Sequence, residues 1–105
     1  MLFTSTLRQV PGYIGCYDLS YAYFKPSKSS MIQNQTDMTI NLCRNHCREN
    51  NLQYASLNRG DTCFCGNNTH TSGIRSEDTK CKVLCSGNHE QVCGNTDLYS
   101  VYDGM

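Results

Sequence analysis

The sequence is as informative for what it lacks as for what it holds. Nine basic and nine acidic residues cancel to a formal charge of zero, and no stretch concentrates one sign. The chain therefore lacks the electrostatic footprint of a nucleic-acid or acidic-lipid binder. No apolar run approaches the roughly 20 residues needed to cross a bilayer as a helix, so direct membrane insertion is not expected. There is no tryptophan, and the 38% hydrophobic content includes eight cysteines. Leu, Ile, Val and Phe are scarce enough that apolar burial alone would stabilise a 105-residue domain weakly. A covalent or metallic staple is needed. No glycine-rich phosphate loop, nucleophile elbow or internal repeat is present. Met1 to Leu7 is too short for a signal peptide and lacks its basic start, so the expectation is a domain cut from a longer secreted or membrane-anchored protein.

What the chain does have is an even set of eight cysteines, which in a short sequence reads as a disulfide framework made in an oxidising compartment. Asn34-Gln35-Thr36 and Asn67-Asn68-Thr69 are N-glycosylation acceptors and point to the same secretory route. Zinc is the competing use of the cysteines, with His46, His70 and His89 as further ligands. Structural zinc sites take paired ligands two to four residues apart, and the one-residue gap at Cys63-Phe64-Cys65 suits a single tetrahedron badly. Disulfides are expected, with no metal and no cofactor. Full pairing leaves no thiol nucleophile, and the carboxylates are scattered without a pair that stands out for acid–base work. The reading is non-catalytic.

The pattern is organised around Cys43 to Cys65. Cys43 and Cys47 are spaced for one face of a helix and Cys63 and Cys65 for one face of a strand. Four helical residues rise about 6 Å and two strand residues about 6.6 Å, so two ladders of sulfur match, and a helix lying on the strand can be stapled to it twice without distortion. Around this, residues 1–11 read as a tail and a single domain runs from 12 to 103. Gly12 to Tyr17 suits a first strand ended by Asp18, and 19–37 a long surface excursion. Thr39 caps a helix over Ile40 to Glu49, closed by Asn50 and Asn51. Leu52 to Leu57 and Thr62 to Cys65 form a hairpin under it, with Asn58 to Asp61 as the turn. A polar loop follows over 67–79, and Cys81 to Cys85 are expected as a helical turn with both sulfurs on one side. Cys85 to Cys93 can close a small ring, and Leu98 to Tyr102 is a terminal strand expected beside the first.

Seven tyrosines, three phenylalanines and many Asn and Asp side chains suit a sugar site, because aromatic faces stack on sugar CH groups while amides and carboxylates bond hydroxyls. The same residues serve protein interfaces. Within the excursion, Tyr21, Tyr23 and Phe24 are ligand candidates, set against the plainer reading that Tyr21 and Tyr23 are the buried face of a short strand.

The ordered motifs Gly15-Cys16-Tyr17-Asp18, Cys43-x3-Cys47, Tyr54-Ala55-x-Leu57, Cys63-Phe64-Cys65-Gly66, Cys81-x3-Cys85-Ser86-Gly87-Asn88, Cys93-Gly94 and Leu98-Tyr99-Ser100-Val101-Tyr102 resemble the WSC domain from Gly12 to Tyr102. Departures are minor: the family often has glycine where Ser56 and Asn95 stand and an acidic residue where Lys80 stands. The resemblance implies a small disulfide-rich α+β domain, one main helix packed on a short antiparallel sheet, similar to PAN/apple domains. Of the roughly 105 pairings open to eight cysteines, it implies Cys16–Cys81, Cys43–Cys63, Cys47–Cys65 and Cys85–Cys93. WSC domains occur in fungal cell-wall stress sensors, as appendages of fungal carbohydrate-active enzymes, and in animal receptors such as Kremen and polycystin. The family is regarded as carbohydrate-binding. The expected function is thus a non-catalytic extracellular or cell-surface module, monomeric when isolated, that binds a polysaccharide, glycan or glycoprotein. The alternative is a protein-interaction or spacer module of a receptor or sensor ectodomain. The motif residues look structural, so the candidate ligand residues are Tyr21, Tyr23 and Phe24 of the excursion and Asn58, Arg59 and Asp61 of the hairpin tip.

Overall fold

The computed structural model describes residues 11–19, 31–67 and 73–103. The elements are β1 (Tyr13–Asp18), β2 (Ile32–Gln33), α1 (Ile40–Glu49), β3 (Tyr54–Asn58), β4 (Thr62–Gly66), β5 (Ile74–Ser76), a 3₁₀ turn (Asp78–Lys80), β6 (Leu84–Cys85), β7 (Asn88–Val92) and β8 (Tyr99–Asp103). Six strands pair antiparallel in the order β2-β4-β3-β8-β1-β5, and β6 and β7 form a separate hairpin. The domain is α+β, with one helix on a mostly antiparallel sheet and four disulfides.

The helix begins where the Thr39 hydroxyl accepts the Leu42 N–H at 3.0 Å. It ends in a left-handed closure: Asn51 takes φ 60°, its N–H bonds the Arg48 carbonyl, and the Leu52 N–H returns to the Cys47 carbonyl. Both Asn51 and Leu52 are thereby committed to the helix end. This is why β3 starts at Tyr54 rather than Leu52. Ile40, Cys43 and Cys47 form the buried stripe of α1. Cys43 is bonded to Cys63 and Cys47 to Cys65, with Cα separations of 5.5 and 5.3 Å. Because the first pairs with the first, helix and β4 run in the same direction. The core between them holds Met38, Ile40, Ala55, Leu57 and Tyr102 with six cysteines, and Tyr13, Ile32, Leu42 and Leu52 pack on its margin.

Three expectations need correction. The excursion over 19–37 contains β2, which joins the sheet beside β4. The span 81–85 is not a helical turn; the 3₁₀ turn lies just before it, 81–83 carries no regular element and Leu84–Cys85 is β6. Its cysteines serve different partners, Cys81 reaching Cys16 on β1 and Cys85 reaching Cys93. The Val83 N–H bonds the Gly94 carbonyl, and the Cys93 N–H bonds the Val83 carbonyl. The polar loop after Asn67 contains β5, an edge strand beside β1 whose exposed Ile74 and Arg75 show no alternation because one edge and much of its surface stay in water. The terminal strand does lie beside the first, and it pairs on its other side with β3.

Candidate aromatic face of the sheet

Strand alternation divides the sheet into two faces. Cys63 and Cys65 point toward the helix, and the register carries that face through Leu57 and Ala55 to Ser100 and Tyr102. The opposite face must then carry the residues between. Ser56 stands opposite both Phe64 and Val101, and Tyr17 opposite both Tyr99 and Arg75. Phe64, Tyr99, Tyr17 and Arg75 therefore form a row across β4, β3, β8, β1 and β5. Four inter-strand steps make it about 19 Å long.

The row is built by contacts as well as by register. The Phe64 and Tyr99 rings meet edge-to-face at a centroid separation of 5.7 Å, a favoured aromatic geometry. The Arg75 guanidinium lies 5.9 Å from the Tyr17 ring centroid and reaches Asp78 at 3.4 Å. Gly15 leaves the space for this stack, because a Cβ there would sit 2.9 Å from both Arg75 Cζ and Tyr17 Cε1. Phe64, Tyr99 and Tyr17 are half-buried, so each keeps part of a ring in solvent. Beneath them on β3, Ser56 Oγ and Asn58 Oδ1 are buried with no hydrogen-bond partner among the described residues. These are polar atoms whose bonding capacity is unspent. Burial raises the Tyr99 phenol above its ordinary range; nearby Arg59 opposes the shift and Asp18 adds to it.

The hairpin tip borders this face. Arg59 is exposed and takes φ 60°, and Gly60 follows at φ 80°, two successive left-handed residues as in a type I′ turn. The turn is anchored by Arg59 N–H to the Asn95 carbonyl and Gly60 N–H to the Cys93 carbonyl, each 3.0 Å. Asp61 ties β2 to the tip: its carboxylate accepts the Thr62 hydroxyl at 2.8 Å and the Gln33 amide at 3.3 Å, and its carbonyl accepts the Asn34 N–H. Of the sequence candidates, the structure brings Arg59 to the edge of the row, places Asn58 in its floor at 5% exposure, and engages Asp61 structurally. Tyr21, Tyr23 and Phe24 lie outside the described residues. Sequence reasoning passed over Tyr17, Phe64 and Tyr99. A signal existed for two of them: Phe64 lies between two cysteines that face the helix and Tyr17 follows Cys16, so alternation alone turns both outward.

A small cleft of about 110 Å³ opens on the helix side of the sheet between Tyr13, Tyr102, Lys82, Leu84 and Val92. Its tyrosine rings are 5.3 Å apart, and the Tyr13 hydroxyl donates to Asp78 at 2.7 Å. Burial first, then the Asp78 bond, pushes the Tyr13 phenol far above its usual value; burial does the same for Tyr102. The folded state keeps these protons at pH values where an unfolded tyrosine, with a pKa of about 10, has lost them. Above that point the unfolded chain binds fewer protons, so stability falls as pH rises. Urea midpoints should be independent of these groups below about pH 10 and drop above it, and Tyr102→Phe should flatten the drop. A midpoint unchanged across that range would refute the assignment.

The sulfurs of Cys43, Cys47 and Cys63 lie within 4.8 Å of one another because two disulfides sit side by side. Every cysteine is bonded, so none offers a thiolate. No helix of the described residues is long and apolar enough to cross a membrane.

A helix stapled twice to an antiparallel sheet, with a third disulfide tying the first strand to the chain before β6 and a fourth closing the small hairpin, defines a disulfide-framed α+β module. The WSC domain model matches residues 13–95, and the chain belongs to the WSC domain family. Among curated proteins it is similar to Kremen protein 2 of Homo sapiens, 33% identical over 95 residues, 90% of this chain and 20% of that protein. Kremen protein 1 of Mus musculus is 30% identical over 98 residues, 92% of this chain and 20% of that protein. Xylosyltransferase oxt of Drosophila pseudoobscura pseudoobscura is 32% identical over 63 residues, covering 60% of this chain and 7% of that protein. The chain thus spans about a fifth of the length of the Kremen relatives.

Proposed function

We propose that this domain is a non-catalytic glycan-binding module of an extracellular or cell-surface protein, and that the row Phe64, Tyr99 and Tyr17 is its binding face. The observation that carries the reading is the row itself: three partly exposed rings share one sheet face, bordered by Arg59 and Arg75. Ring faces stack on the apolar side of a sugar while guanidinium, phenol and amide groups bond its hydroxyls. The length of the row suits a chain of sugars better than one. The disulfides and sequons support a secretory route. Asn34 and Asn67 are proposed as its glycan carriers. Asn67 is exposed with its Oδ1 held by the Gln53 N–H, and Asn34 is held through Oδ1 by the Thr36 and Asp37 N–H groups. Both arrangements leave the amide nitrogen, where a glycan attaches, out of these bonds.

The likeness to Kremen proteins favours a second reading, a protein-interaction module of a receptor ectodomain, using the same face. A glycan and cell-wall polysaccharide screen separates the two. Binding is expected, and Tyr99→Ala should weaken it about tenfold, on the scale of one lost aromatic contact, with the circular dichroism spectrum unchanged. Absence of binding to every polysaccharide would favour the protein-interaction reading.

A further inference from the structure

Arg59 is the one residue of this face whose backbone and side chain are hard to explain by folding alone. Positive φ is sterically costly for a residue with a Cβ, and a turn position of this kind ordinarily takes Gly, Asn or Asp. The surrounding bonds to Asn95 and Cys93 hold the conformation in place, which is the circumstance in which a strained residue persists at a functional position. Its side chain meanwhile forms no salt bridge among the described residues, although Asp61 is two positions away. That carboxylate is already occupied by the Thr62 hydroxyl and the Gln33 amide. A guanidinium whose charge is felt at Tyr99 is thus left with no side-chain hydrogen bond or ion pair among the described residues.

We propose that the saccharide taken by this row is acidic, and that Arg59 receives its carboxylate through paired N–H donors while the adjoining sugar ring stacks on Tyr99 and Phe64. This rests on the glycan reading above. A guanidinium presents two parallel donors that match a carboxylate, an arrangement an ammonium cannot copy. Arg75 stands at the other end of the row, about three inter-strand spacings or 14 Å from β3. Its side chain is 54% exposed and its contact with Asp78 is long at 3.4 Å, so it is available to a second acidic group further along a polyuronate. Two described carboxylates oppose this selectivity: Asp61 at the tip, its oxygens turned to the Thr62 hydroxyl and the Gln33 amide, and Asp18, whose charge is felt at Tyr99. Asp18 is on β1 rather than at the hairpin tip, and the Asp61 oxygens are engaged on the β2 side of the tip.

The test is titration of the intact, oxidised domain with two oligosaccharides of equal length, a neutral β-glucan and an oligogalacturonate, at low and high salt. The oligogalacturonate is expected to bind about tenfold more tightly, the scale of one charge-assisted contact, with the preference shrinking as salt rises. Arg59→Gln should abolish the preference, weakening oligogalacturonate binding about tenfold more than it weakens neutral binding. Arg59→Lys should restore only part of it. Arg59→Gly, which relieves the backbone, should raise the melting temperature while losing the preference, an outcome a merely structural arginine would not produce. Equal affinity for both sugars, or an equal loss of both in Arg59→Gln, would overturn the acidic assignment and leave the glycan reading standing. Binding of neither sugar, nor of any other in the screen, would overturn both.

Discussion

Replacing Cys16 and Cys81 together by alanine should cost about 4 kcal/mol, the largest loss of any single disulfide in this chain. The bond spans 65 residues, against 20, 18 and 8 for the others. The entropy removed from the unfolded chain by a cross-link grows with the logarithm of the loop it closes. The two helix-to-β4 bonds lie inside the Cys16–Cys81 loop and shorten it, which lowers the figure only slightly for the same logarithmic reason. By this argument the Cys85–Cys93 ring contributes least, about 2.6 kcal/mol. Alanine is the right replacement because both positions are buried, at 0 and 5% exposure, and a serine hydroxyl there would be stranded. For a domain whose net stability is of the order of 5–15 kcal/mol, such a loss leaves a folded but fragile protein, and reduction of all four bonds should unfold it. Urea denaturation of the four double variants checks both size and order. A Cys16/Cys81 variant no weaker than the Cys85/Cys93 variant would contradict the account.

Gly94→Ala should be nearly as damaging, at about 3 kcal/mol or more, without removing any bond. Gly94 has φ +82°, and a Cβ there would collide with the Leu57 carbonyl oxygen and lie 2.6 Å from Asn58 Cα and 2.8 Å from the Leu98 carbonyl oxygen. All three are backbone atoms, which cannot swing aside as a long side chain does. The left-handed conformation adds about 1–2 kcal/mol and the forced displacement about 1–3 kcal/mol. The position is also a junction: its N–H donates to Ser100 Oγ at 2.9 Å and its carbonyl accepts the Val83 N–H. Pushing it away moves the end of β3, where Asn58 and Arg59 stand, so the glycan binding proposed above should weaken as well. Gly12→Ala is the control, because its φ is equally positive but its added Cβ comes no closer than 3.1 Å to any atom, meeting the Arg44 guanidinium, which bonds the Asp103 and Pro11 carbonyls, and the Asp103 carbonyl oxygen at 3.2 Å. It should cost about 1 kcal/mol, the conformational part alone. Thermal or urea unfolding of the two variants should separate them clearly; equal losses would show that the crowding at Gly94 relaxes at little cost.

Much of the scaffold was legible because its signals are local. The Thr39 cap, the Ile40, Cys43 and Cys47 stripe and the asparagines at the helix end all lie within a dozen residues of one another, and α1 follows from them. The β3–β4 hairpin follows likewise from two strand-forming runs and a turn. The span 81–85 was misread because equal spacing of two cysteines suggests one shared face, whereas their partners lie on different elements. β5 carries no alternation to read, since an edge strand with little buried surface has no need of it.

Of the candidate site, Arg59 and Asn58 could be named from the hairpin alone, while the aromatic row could not. Its members come from β4, β8, β1 and β5, and they become neighbours only because β8 inserts between β3 and β1. The sequence by itself determined a cysteine-framed α+β domain with one helix over a hairpin, since sulfur spacing, capping and alternation act over short stretches of chain. Only the tertiary structure decided that Phe64, Tyr99, Tyr17 and Arg75 share one surface, because register between distant strands is selected by the burial and pairing of the whole sheet at once.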